Sequence, residues 1–198
     1  MNLPLVRKCA GPGDILLLSG HGSLSWLIRY AQKIQTKDGE PSKWSHAMIY
    51  FNVLIAFEST IDFKPYDSAH TGRGKRLDNG VQLNRLENFR DSAPAMLMHF
   101  PFVDLQRQLL NAKIGEILET GYTYPILGLI GSLLSYWIFR GWQSNPLQSK
   151  HSLYCSAAVQ EVYSVLGIDF DPMHTARNTS PEIISQYECA GLEKIDVS

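Results

Sequence analysis

Residues 120–139 carry no charged side chain, and whether this chain folds in water or in a bilayer turns first on that stretch. Its length borders on what a helix needs to cross a hydrocarbon core. Pro125, Gly128 and Gly131 interrupt it, and Tyr122, Tyr124, Ser132 and Ser135 dilute it. These residues favour a packed helix opening near Pro125, or one wall of an apolar groove, with a membrane span as the alternative. Any face left exposed would bind acyl chains, a partner or a membrane surface. Peripheral membrane or lipid contact through residues 120–139 is therefore an expectation.

The remaining chain reads as globular. Of 198 residues, 44% are apolar and 19% charged, enough for one domain spanning residues 1–198 with a sizeable core. A net charge of -1 with no basic stripe argues against nucleic acid as a partner. Cys9, Cys155 and Cys189 cannot all pair with one another and lack zinc-site spacing, which points to a reducing compartment. No apolar run ending in small residues follows Arg7 and Lys8, so no signal peptide is read and a cytoplasmic location is expected.

Strand and helix signals alternate. Gly11-Pro12-Gly13-Asp14 is turn chemistry ahead of the buried strand Ile15-Leu16-Leu17-Leu18. Leu24, Leu27, Ile28 and Ala31 recur at helical spacing after Ser23. Residues 44–51 alternate as a strand, a reversal is expected at Asn52, and residues 53–57 return. Residues 67–80 read as an exposed loop, Ala95-Met96-Leu97-Met98 as a strand, and residues 105–119 as a helix. A polar loop at 143–151 precedes a helix that carries Cys155 and ends at Gly167. Ser180 caps a last helix, with Pro181 at its first position. The fold class expected is α+β with a small antiparallel sheet and several helices.

Cys155 opens its helix in Tyr154-Cys155-Ser156-Ala157. A helix N-terminus favours thiolate over thiol and offers N–H groups to an oxyanion, which makes Tyr154 and Ser156 the neighbouring oxyanion or substrate candidates. An isolated cysteine is otherwise a small buried hydrophobe, the role expected for Cys9 and Cys189. His46 lies on the strand face shared with Met48 and Tyr50. A hairpin turning symmetrically about Asn52 would set Glu58 directly opposite His46, where a carboxylate fixes the imidazole tautomer. His21, His70, His99, His151 and His174 have no cysteine or acid at ligand spacing, and no helix carries histidines at i, i+4. No metal and no cofactor are therefore expected. Asp14 reads as a turn residue, and Tyr122 and Tyr124 as core aromatics.

The order Gly13-Asp14-Ile15-Leu16, then Ser45-His46-Ala47-Met48-Ile49, then Glu58, then Tyr154-Cys155-Ser156 resembles the circularly permuted branch of the NlpC-type papain-like cysteine hydrolases, the YiiX/YaeF-like group. In papain-like enzymes of ordinary order the cysteine comes first, whereas here it comes last. The helix beginning Ser23-Leu24-Ser25-Trp26 and the segment Thr179-Ser180-Pro181 are similar too. The resemblance implies Cys155 as nucleophile, His46 as base and Glu58 as the third member. It also implies a permuted papain-like fold with its sheet packed on the cysteine helix, and hydrolysis of an amide bond in a peptide or peptide-like substrate. A related branch, the lecithin:retinol acyltransferase relatives, moves acyl groups on lipids with the same residue order. Its Asn-Cys-Glu-His context is absent, and Ala157 stands where an acidic residue often lies. The residues leave open an acyltransferase or lipid hydrolase acting on an acyl-bearing substrate, and a catalytically silent binding module.

Overall fold

The computed structural model describes residues 1–60, 80–124, 153–172 and 179–198. The expected loop at 143–151, the apolar segment beyond residue 124, and His70, His151 and His174 lie outside them, as does the 67–80 loop apart from Gly80. Among the described residues, no helix is long and apolar enough to cross a membrane.

Among the described residues, six antiparallel strands form one sheet in an α+β fold: β1 (Ile15–Leu18), β2 (His46–Asn52), β3 (Ile55–Thr60), β4 (Gly80–Arg85), β5 (Ala95–His99) and β6 (Glu193–Asp196), in the order β4-β3-β2-β1-β5-β6. Strand β1 lies between β2 and β5, and both its faces are covered. That is why it reads as an unbroken apolar run instead of an alternation. On one face Ile15, Leu17, Ala47, Ile49 and Phe57 pack with α3 (Asp104–Thr120) and α4 (Cys155–Tyr163). On the other, Leu16, Leu18, Met48, Tyr50 and Ala56 pack with Leu3 and Val6 of α1 (Leu3–Cys9). Each fully buried Leu, Ile, Met or Phe side chain among them contributes about 1.5–3 kcal/mol.

Helix α4 is covered on nearly every side, and Ala157 and Ala158 let it lie close to β2 and β3. Its polar residues are tied down. Ser156 Oγ donates to Thr179 O at 2.6 Å, and Gln160 donates to Ile168 O and accepts from Phe170 N–H. The helix passes into a 3₁₀ turn at Ser164–Leu166, and Gly167 ends it at φ 70, a left-handed conformation that suits glycine. The last helix, α5 (Pro181–Gln186), opens as expected, with Ser180 Oγ accepting from Ile183 N–H. Helix α2 (Ser23–Ala31) continues as a 3₁₀ turn, Gln32–Gln35.

The hairpin departs from the expected register. Its turn is Val53-Leu54, not Asn52, and Asn52 pairs with Ile55. That pairing alone would bring Glu58 opposite Ile49, on the face away from His46. A bulge between Tyr50 and Asn52 inserts one residue, Phe51, after which Tyr50 pairs with Ala56 and Ile49 with Phe57. Continuing that register sets Glu58 opposite Met48, which shares the face of His46. The expected direct pairing of Glu58 with His46 is thus corrected to a diagonal one. The even turn would have broken the site, and the bulge restores it.

Asp14 is also more than a turn residue. Fully buried, it accepts from Gly11 N–H (2.7 Å), Phe100 N–H (3.1 Å) and His99 Nδ1 (2.6 Å), with Arg107 at 3.7 Å. It joins the turn before β1 to the end of β5 and to α3.

Candidate active site

The site is assembled where β2 begins. His46 and Glu58 alternate onto the face carrying Met48, whereas Cys155 belongs to a helix packed on the opposite face. They meet because His46 is the first residue of its strand, so the thiol and the imidazole contact one another at the end of the sheet. His46 Nε2 lies 2.6 Å from Glu58 Oε2, and the imidazole hydrogen-bonds the thiol as well. With Nε2 donating to the carboxylate, Nδ1 is the nitrogen that faces sulfur. The Phe89 ring stacks on the imidazole at 6.2 Å between centroids.

Glu58 is held from behind. Its Oε1 accepts from Asn84 Nδ2 (2.8 Å) and Gln82 Nε2 (3.2 Å), both on β4, and its side chain is 1% exposed. The expected loop at 67–80 has no strand assigned after it, so the sequence reading misses these two amides. The alternation Val81-Gln82-Leu83-Asn84 was the available signal, with Val81 and Leu83 directed to the core.

Cys155 is 4% exposed and is the first residue of α4. Its sulfur accepts from the backbone N–H groups of Ser156 and Ala47. Tyr154 occupies the N-cap, where its side chain makes no capping bond and lies in the core instead. Ser156 enters the site through its backbone, since its hydroxyl is committed to Thr179. Cys9 is half-buried beside the α1 cluster and Cys189 is exposed. His21 and His99 are both away from the thiol, bonded to Asp91 O and Asp14 respectively. Among the described residues, no group of three or more His, Cys, Asp or Glu side chains is arranged to hold a metal ion.

The electrostatics couple thiol and imidazole. Burial by itself would lower the His46 pKa. Hydrogen bonds to Cys155 and Glu58, and the negative charge of both, outweigh it and push His46 from 6.5 up to about 10. Burial would likewise raise Cys155, but the hydrogen bond and positive charge of His46, with the two N–H groups, hold it below its ordinary 9.0. Both directions describe a resting thiolate–imidazolium pair. Burial and the charges of Cys155 and Glu58 push the buried Tyr124 hydroxyl well above its usual range.

Stability follows by linkage. The raised His46 contributes fully below its unfolded pKa of 6.5, and the contribution is lost as pH climbs through about 10. The depressed Cys155 contributes above its unfolded 9.0 and is lost as pH falls through its folded value. Above 6.5 and above the folded Cys155 value, up to 9.0, the two slopes cancel, because folded and unfolded states then each hold one proton on the pair. This pair should therefore give a flat stability profile across that window. Above that window it should fall as pH rises through 9 and about 10, by on the order of 1 kcal/mol in all. Urea unfolding of wild type minus Cys155→Ala across pH isolates the effect, and a difference without the alkaline fall would refute the ion pair.

A cavity of about 380 Å³ opens beside His46, walled by Leu18, Leu24, Ile28, Phe89 and Tyr124, with Ser45 and Thr60 among its polar groups. Ser45 Oγ accepts from Gly20 N–H at 2.9 Å and lies 2.7 Å from Ser25 Oγ, which ties the start of α2 to the site. A comparison with protein-family models finds no match for this chain, and a search of curated proteins finds none either.

Proposed function

We propose that this protein is a cysteine hydrolase of the permuted papain-like kind, with Cys155, His46 and Glu58 as its triad. One observation carries the reading: the thiol at the first position of a buried helix is hydrogen-bonded to an imidazole that a buried carboxylate holds from the other side. The Cys155 sulfur attacks a carbonyl carbon, and the tetrahedral oxyanion is met by the Ser156 N–H at the helix N-terminus. On collapse the C–N bond breaks, the amine leaves with the proton of His46, and a thioester remains. Water then gives a proton to His46 and attacks the thioester. The acid product departs and the sulfur is released as thiolate. A peptide or peptide-like amide is the substrate class.

The cavity wall supports a second reading. Leu18, Leu24, Ile28 and Phe89 would accept an acyl chain beside His46, which suits a lipid acyltransferase or lipid hydrolase. Supplying an amine acceptor and analysing the products separates transfer from hydrolysis.

Limited alkylation with iodoacetamide tests the activated thiol. Cys155 is buried whereas Cys189 is exposed, so access alone predicts that Cys189 reacts first. At about pH 6, where an ordinary thiol is almost wholly protonated, Cys155 should nevertheless be modified first, read by peptide mass spectrometry. Preferential labelling of Cys189 would refute the nucleophile and favour a silent binding module.

A further inference from the structure

Helix α2 carries apolar residues on both sides. Its inward side packs Ile28 and the buried Ala31 on the body and is anchored by polar groups: Gln32, 2% exposed at its end, donates to Trp44 O (2.8 Å) and accepts from Glu182 N–H (2.8 Å). Arg29 donates to Ser42 O (2.7 Å), and Ser25 to Gly20 O (2.7 Å). Its outward side is apolar. Trp26 is 59% and Leu27 44% exposed, with Leu24 at the edge and Ile34 51% exposed on the 3₁₀ continuation. At 3.6 residues per turn, Trp26, Leu27 and Tyr30 share an arc of about 100°. Trp26 and Tyr30 stack there at 5.2 Å. A surface helix ordinarily keeps its outward side polar.

Charge indicates what covers this face. From residue 15 to residue 37 there is no acid, with Asp38 and Glu40 following only after Lys37; Lys33 and Lys37 stand on and just past the 3₁₀ continuation, and Arg29 is turned inward, in a chain whose net charge is -1. Exposed tryptophan and leucine flanked by cations, with an aromatic pair, match the requirements of a bilayer interface bearing anionic headgroups. The surface is also continuous with the site, since Leu24, Ser25 and Ile28 of the same helix line the cavity beside His46.

We infer that the outward face of α2 docks on an anionic lipid surface, bringing the cavity mouth to the headgroup region. The inference does not depend on the thiol chemistry, so the Cys155→Ala protein must bind as wild type does.

Flotation with vesicles tests it, using phosphatidylcholine alone and phosphatidylcholine with about one third phosphatidylserine. The full chain should float with the anionic vesicles. The double variant Trp26→Ser/Leu27→Ser alters two exposed side chains that do not line the cavity, and it should bind at least about tenfold more weakly. Lys33→Glu/Lys37→Glu should weaken binding by about tenfold or more. Unchanged melting temperatures show that the variants fold. The inference is overturned if the wild type stays in the aqueous fraction, if it floats equally with neutral vesicles, or if the Trp26/Leu27 variant floats as well as wild type. It is equally overturned if sedimentation shows these residues joining two copies of the chain and no vesicle binding.

Discussion

Replacing His46 with alanine should reduce turnover of an acyl substrate by at least about a thousandfold, because one ring holds the thiolate, serves as acid for the leaving group and then as base toward water. Alkylation of Cys155 gives a second, substrate-free measure. In the wild type the imidazolium and two N–H groups hold the thiolate. Without the ring, only the two N–H groups oppose burial, so the thiol rises and the thiolate fraction near neutral pH falls. The more basic thiolate is intrinsically more nucleophilic, which recovers part of that loss. The net expectation is a roughly tenfold slower reaction at about pH 7. The clearer signature is the profile: wild type should be level through neutrality, and the variant should climb with pH past about 9. A level profile in His46→Ala would mean that the helix and its N–H groups activate the thiol unaided.

Glu58→Gln should cost about a hundredfold in turnover, less than the loss of the imidazole but far more than an isosteric change on a surface. The reason lies in β4. Asn84 and Gln82 both donate to Oε1 of Glu58, so a glutamine there must keep its carbonyl oxygen toward them and present its NH₂ to His46. Nε2 would then have to accept, the ring proton would move to Nδ1, and Nδ1 would no longer take a proton from Cys155. Asn84→Leu/Glu58→Gln should recover part of the loss, since the amide is then freer to turn over. If Glu58→Gln equals wild type in turnover and in the pH profile of alkylation, the carboxylate has no orienting role.

The main elements were legible because their signals are local. Ile15–Leu18 is apolar throughout and becomes the doubly covered strand β1, while Ser180-Pro181 opens a helix by its own chemistry. Cys155 was read as a first-turn residue from the polar loop before it, and it is the first residue of its helix. What escaped depends on partners distant in the chain. Asp14 looks like any residue at a turn, and its role is set by backbone donors from Gly11 and Phe100 and by His99 and Arg107. Asn84 and Gln82 acquire meaning only after β3 lies beside β4. The outward apolar face of α2 was hidden differently: its helical period is plain, but period alone does not say which side meets the body.

The bulge at Phe51 has a consequence for how this hairpin can change length. Side chains alternate every residue, so the hairpin behaves as an odd-or-even counter whose reading decides which side of the sheet receives Glu58. Loss of one turn residue with the bulge kept would turn the carboxylate away from His46, whereas loss of Phe51 itself would remove the bulge and leave Glu58 opposite Met48. Loss or gain of two would preserve the side and only slide the carboxylate along it. Natural variation in this loop that keeps the site should therefore come in steps of two, or as a single insertion or deletion matched by the disappearance of the bulge.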